Sequence, residues 1–224
     1  IIIVNHALFF SDLAIKAETG DPKAGILPEA SAYILDECHT IEDVASIHLG
    51  VRISAGSFLY LLRRIYNKRS KRGAIATVSQ SRGRDLAAFL HDQVTEFFQS
   101  LHEWLPDDVK NYRIKEPILQ ENPLAAGLTE LCGHLELYAN EAEEDAERET
   151  ELRSLSRRLL KLCDNLTFFL RASSEEHVFW FEKSSRYLTM HAAAVDVAPI
   201  LQELLFDAKL PVISTSATLA LDGK

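Results

Sequence analysis

Along the middle of this 224-residue chain apolar residues return at every third or fourth position, whereas near its two ends they gather into short unbroken runs. The first pattern belongs to helices that bury one face, and the second to strands buried on both faces. Between Ala55 and Arg171, Phe58, Leu61, Leu62 and Ile65 form one predicted helical face, and Leu86, Phe89, Leu90, Val94, Phe97, Phe98 and Leu101 form another. Leu128, Leu131, Leu135 and Tyr138 follow. Leu152, Leu155, Leu159, Leu162, Leu166 and Phe169 then alternate steps of three and four, the tightest heptad series in the chain. The phase slips between Tyr138 and Leu152, across Ala139-Asn140-Glu141, which predicts a hairpin of two antiparallel helices; a bent continuous helix is the alternative. Pro106, Pro117 and Pro123 predict little regular helix between Trp104 and Leu124, because proline removes a backbone donor and crowds the preceding turn.

The end segments carry the candidate chemistry. Ala32-Tyr33-Ile34-Leu35 predicts a strand that ends on two adjacent carboxylates, Asp36 and Glu37, with Cys38 and His39 next. The C-terminal edge of a buried strand is where open α/β sheets place ligands. One acid there can hold a magnesium ion against phosphates, and its neighbour, pointing the other way, can orient and deprotonate a water. Read alone, the pair is more readily the cap of a helix starting near Thr40. Far downstream, Pro211-Val212-Ile213-Ser214 predicts a second short strand, opening into Thr215, Ser216, Ala217 and Thr218.

Three elements in one order, Ile1-Ile2-Ile3-Val4-Asn5-His6-Ala7-Leu8-Phe9, then Asp36-Glu37-Cys38-His39, then Thr215-Ser216-Ala217-Thr218, resemble the DinG/XPD family of superfamily 2 DNA helicases. Leu27-Pro28-Glu29-Ala30 stands where that family has L-P-E-A, and Asp43-Val44-Ala45 follows the acids. His177–Glu182 and Leu188–Ala192 look like the paired strands that precede motif III in bacterial members. The resemblance is specific over residues 1–50 and 176–221 and architectural in between.

It implies a mixed, predominantly α fold. Residues 1–50 and 176–224 would be parts of a RecA-like α/β motor domain, and 51–175 a helical Arch-like insertion between motifs II and III. By the same resemblance Asp36 would bind Mg2+ and, with Glu37, ATP; Glu37 would activate water; and His39 would couple to Ser216 and Thr218. The expected activity is ATP hydrolysis coupled to 5′–3′ movement on single-stranded or forked DNA. The family's iron–sulfur ligands would lie before the Val4-Asn5-His6 segment, so a cluster in a longer parent is neither implied nor excluded, and the same holds for an exonuclease domain. No G-x-x-x-x-G-K-[ST] loop occurs, so hydrolysis by this chain alone is not expected. With Ile1 first and Gly223-Lys224 last, both ends look cut from a longer protein, the first inside a strand.

Composition narrows the class. At 47% hydrophobic residues the chain can bury a core, and no apolar run approaches the ~20 residues needed to span a bilayer. A soluble cytoplasmic protein without membrane partners is expected. Three scattered cysteines, Cys38, Cys132 and Cys163, fit neither a disulfide framework nor a metal site, and Cys38 reads as a small packing residue.

The net charge of −9 means that any affinity for nucleic acid must be local. Arg63, Arg64, Lys68, Arg69, Lys71, Arg72, Arg82 and Arg84 fall in one window without an acid, and Gly73, Ser79, Ser81 and Gly83 suggest a partly mobile loop there. The window is a single-strand-tracking stripe, or else the two charge blocks are solvated helix faces or screen one another across the bundle. The opposite block, Glu141 to Glu151, reads as a solvated face. Asn5 and His6 are read as a helix cap or a DNA contact. Phe179, Trp180 and Phe181 offer either a stacking platform or strand packing; alternation sends at least one of them into the core, which favours packing, and His102, His134, His177 and His191 are read as ordinary histidines. Two other classes remain: a helical protein- or DNA-binding module with a non-functional motor remnant, and a DEAH-type RNA helicase, which would keep motifs II and III closer together.

Overall fold

The computed structural model describes residues 1–19, 23–142, 145–207 and 210–217. Helix and sheet are mixed and about half of the chain is helical. No helix among the described residues is long and apolar enough to cross a membrane. The chain folds as two compact units: one takes Ile1–Val51, Glu175–Val178 and the segment from Ala192 onward, the other Arg52–Ser174 and Phe179–His191.

In the first unit, α1 (His6–Thr19) begins where the Asn5 side chain accepts from the Leu8 N–H at 2.9 Å, the capping reading of that residue. Ile1–Asn5 is not in a strand. Ile1 and Ile3 are exposed, and an extended run becomes a strand only when a neighbour takes its backbone bonds. Strand β1 (Tyr33–Leu35) lies parallel to β6 (Val212–Ser214), with Tyr33 opposite Val212 and Leu35 opposite Ser214. A 3₁₀ turn (Cys38–Thr40) then leads into α2 (Ile41–His48). Phe9, Phe10 and Leu13 of α1 pack with Leu35, Ala45, Val197, Leu201 and Leu205 into one buried cluster. The last three come from or beside α7 (Ala198–Leu201) and the π turn that follows it, Gln202–Phe206.

The second unit is a four-helix assembly with a sheet. Its helices are α3 (Ala55–Ile65), α4 (Arg82–Trp104), α5 (Ala125–Glu141) and α6 (Ala146–Arg171). The predicted hairpin is present: α5 runs to Glu141, and the Asp145 carboxylate, accepting from the Arg148 N–H at 3.1 Å, starts α6. Leu152, Leu155, Leu159, Leu166 and Phe169 of the heptad are buried.

On α4 the predicted positions Leu90, Val94, Phe98 and Leu101 are buried. Phe89 is 58% exposed, and the buried line runs through Gly83, Ala87, Leu90, Val94, Phe98 and Leu101. Small residues mark the close contact: a Cβ on Gly83 would stand 2.9 Å from the Tyr138 ring. Large apolar positions alone mislead where a helix approaches its neighbour through glycine and alanine.

Strands β2 (Val51–Ser54), β5 (Leu188–Ala194), β4 (His177–Lys183) and β3 (Asn111–Ile114) form the sheet in that order. The β3 strand sits within the proline-punctuated segment and pairs antiparallel with β4. Alternation along β4 sends Phe179 and Phe181 inward, where the Phe181 and Phe169 rings lie 5.0 Å apart.

Candidate functional site

The site at the end of β1 is built by strand pairing across 179 residues of sequence. The Thr215 N–H donates to the Leu35 carbonyl at 2.8 Å, and the Cys38 N–H donates to the Thr215 carbonyl at 2.9 Å, so the ladder continues one step past each strand. Between them the chain must turn sharply. Glu37 does this in the left-handed conformation, φ 49° and ψ 46°, which costs a residue with a Cβ on the order of 1–2 kcal/mol. Its carbonyl accepts from both the N–H and the hydroxyl of Thr40 at 3.0 Å, and these bonds hold the turn. His6 Nδ1 meets the same Thr40 hydroxyl at 3.1 Å, which brings the start of α1 to the back of the turn.

Asp36 and Glu37 then point to different neighbours. Asp36 Oδ1 accepts from Thr215 Oγ1 at 2.5 Å and from the Glu37 N–H at 3.0 Å. The Thr215 bond is the main cause, and the Glu37 N–H the second, of an Asp36 pKa below the usual carboxylate value. His39 Nδ1 lies 3.0 Å from Ser216 Oγ and 3.2 Å from Glu37 Oε2. A proton on Nδ1 suits this position, because a carboxylate oxygen offers only lone pairs. Glu37 and His39 are 60% and 50% exposed at their side chains, so a ligand can reach both from solvent.

Asp36, Glu37, His39, Thr215 and Ser216 are thus brought together. Ala217 follows as an exposed turn residue, and Thr218 lies outside the described residues. The sequence reading placed Thr215 in the same element as Ser216 but did not foresee that it bonds Asp36. That bond depends on the register of β6 beside β1, which no local signal encodes. The half-buried Cys38 contributes its N–H to the ladder. Among the described residues no three His, Cys, Asp or Glu side chains gather as a metal cage. Magnesium does not require one: it takes one or two carboxylates and completes its shell with water and phosphate oxygens. An exposed carboxylate with a threonine hydroxyl beside it fits that donor set.

The basic window divides in two. Arg64 pairs with Glu151 at 2.6 Å, Arg82 pairs with Glu130 at 2.7 Å, and Arg84 donates to the Val78 carbonyl. Arg63, Lys68, Arg69, Lys71 and Arg72 are exposed and form no ion pair among the described residues. The segment carrying Lys68, Arg69, Lys71 and Arg72 is a hydrogen-bonded turn. Asn67 Oδ1 accepts from the N–H groups of Arg69 and Ser70 at 3.0 and 3.1 Å, and the Asn67 N–H donates to the Arg72 carbonyl at 2.8 Å. Lys71 takes φ 54° and Gly73 takes φ 141°. A Cβ on Gly73 would fall 2.4 Å from the Ile65 carbonyl oxygen. Arg63, Lys68 and Arg69, with Tyr66, Asn67 and His91, line a groove of about 660 Å³ beside this turn. Gly83 belongs to α4. In the acidic block Glu149 and Glu151 are tied to Arg153 and Arg64, while Glu143 and Glu144 lie outside the described residues.

No protein-family model matches the chain. Over 222 residues, 99% of its length, it is 25% identical to the ATP-dependent DNA helicase YoaA of Escherichia coli (strain K12), of which it covers 33%. Over 227 residues it is 22% identical to the probable ATP-dependent helicase YpvA of Bacillus subtilis (strain 168), again covering 33%. A 65-residue stretch is 35% identical to the YoaA helicase of Haemophilus influenzae, or 10% of that protein. The chain thus spans about a third of the length of the first and second of these relatives. The similarity supports a helicase family.

Proposed function

We propose that this chain is part of the motor of a DinG/XPD-like ATP-dependent DNA helicase, with residues 1–50 and 176–224 contributing to a RecA-like domain and 51–175 forming an Arch-like insertion. The observation that carries the reading is the 2.5 Å bond from Thr215 to Asp36. It ties an acidic strand end to a hydroxyl-rich strand end, the pairing a motor needs to couple its nucleotide to its track.

Further support comes from the β1–β6 pair. Ile34 and Ile213 are 72% and 53% exposed, although parallel strands are ordinarily covered on both faces. The pair reads as a portion of a wider sheet in a longer protein. The helicase names of the relatives agree with this, and movement 5′–3′ along single-stranded or forked DNA rests on the family resemblance.

In this reading Asp36, kept ionised by Thr215, holds Mg2+, which would neutralise charge on the ATP phosphates when bound. Glu37, projecting from the strained turn, orients a water and takes its proton. His39 lies between Glu37 and Ser216 and relays the state of the carboxylate to the second strand. The test is Glu37→Gln in the longer protein that carries a phosphate-binding loop. Nucleotide binding should persist and turnover should fall by at least about a hundredfold. Unimpaired turnover would remove Glu37 from the role and favour the alternative of a binding module with a motor remnant.

A further inference from the structure

The outer face of the four-stranded sheet carries an aromatic pair that neither the core nor the motor site uses. Because Phe179 and Phe181 turn inward, Trp180 faces the other way. It lies flat against His191 of β5, with ring centroids 4.9 Å apart and planes 6° from parallel. On β3, Arg113 stands directly opposite Trp180. On β2, beside β5, Ile53 is buried, so Arg52 faces the outer side with His191, and its charge helps to lower the His191 pKa. In strand order the row therefore reads Arg52, His191, Trp180, Arg113, basic at both ends and aromatic between.

Charge reinforces the pattern. Arg52 and Arg113 are exposed, and neither forms an ion pair among the described residues. In a chain of net charge −9, two unneutralised cations flanking an aromatic pair form a local anion-seeking surface. Among the described residues the acid bonded to the row is Glu182, which accepts from His191 Nε2 at 3.2 Å. Burial lowers the His191 pKa, and the Glu182 bond only partly opposes it, so the imidazole stacks on Trp180 as a neutral ring at neutral pH. Three inter-strand steps separate the arginines, ~14 Å, room for one base and the phosphates on either side of it.

We propose that this row binds single-stranded nucleic acid, with one unstacked base against the Trp180–His191 pair and its flanking phosphates on Arg113 and Arg52. Aromatic faces accept any base, so recognition is tolerant of sequence and requires an unpaired strand. The site stands on the sheet alone and does not depend on nucleotide hydrolysis. Its failure and that of the motor reading are therefore separable.

The experiment uses the whole chain without ATP. The sequence has two tryptophans, so in a Trp104→Phe background Trp180 alone reports by fluorescence. Titration with oligothymidine of about ten nucleotides should quench it saturably. An abasic phosphodiester chain of the same length, or a blunt duplex, should quench far less. Trp180→Ala, read by anisotropy of labelled oligonucleotide, should weaken binding by about fivefold or more, whereas Trp180→Phe should retain most of it. Arg52→Gln and Arg113→Gln should each weaken binding. Wild-type affinity in a folded Trp180→Ala protein, or equal quenching by the abasic chain, would overturn the proposal. Equal quenching by a polyglutamate peptide would overturn it too and assign the face to an acidic protein.

Discussion

The Thr215 hydroxyl donates to Asp36 Oδ1 at 2.5 Å, joining the ends of two parallel strands that lie 179 residues apart in the chain. Thr215→Val keeps the shape and removes the donor. The Asp36 pKa, now held down first by Thr215, should rise toward the ordinary carboxylate value, a change that an NMR titration of the Asp36 side chain would follow. The sign is fixed by linkage. A depressed folded pKa contributes stability that is present above the unfolded value and lost as pH falls through the folded value, so the variant should be less stable at neutral pH and little changed in acid. An Asp36 titration identical in the two proteins would show that the hydroxyl does not control it.

The exposed turn carrying Arg69, Lys71 and Arg72 makes a prediction about salt. If these side chains contact phosphates of a single strand, replacing all three with glutamine should lower affinity and flatten the dependence of log K on log salt by about 2. An unchanged slope would assign the turn to solubility. Arg64 and Arg82, already paired with Glu151 and Glu130, should contribute much less to the slope.

Lys183 is buried on the core side of β4, where its ammonium donates to the Leu105 carbonyl at 2.7 Å and to Asp107 Oδ1 at 2.8 Å. Lys183→Met should destabilise the chain by about 1–3 kcal/mol in urea unfolding, because the carbonyl loses its buried donor. The same substitution should release Asp107, whose pKa the Lys183 hydrogen bond holds below the usual carboxylate value. Unchanged stability would mean that water replaces the ammonium at no cost.

Thiol reactivity should separate the three cysteines. Burial pushes the Cys132 thiol up to about 11 and also raises Cys163, whereas Cys38 is half-buried at the start of the 3₁₀ turn. A maleimide reagent at neutral pH should therefore modify Cys38 first, and the other two only on unfolding. Mass mapping of the modified residue checks this. Early labelling of Cys132 would contradict the packing between α5 and α6.

Periodicity carried the helices well because helix formation is local. The heptad from Leu152 to Phe169 and the hairpin before it are read from neighbouring residues, and the structure shows both. On α4 periodicity finds Leu90, Val94, Phe98 and Leu101 but not Gly83, which carries no hydrophobic weight and yet lies against the Tyr138 ring. Composition does not reveal that the Asn67 side chain ties down two N–H groups in the basic turn.

By itself the sequence determined the residue chemistry: adjacent carboxylates after an apolar run, hydroxyls after another, and a segregated block of cations. These follow from residue type and spacing, which act over a few positions. Only tertiary structure decided that Asp36 receives Thr215, that His39 stands between Glu37 and Ser216, and that Arg52, His191, Trp180 and Arg113 share a row. Each of these meetings depends on strand order and register, set by burial of the whole core and not by any short stretch of chain.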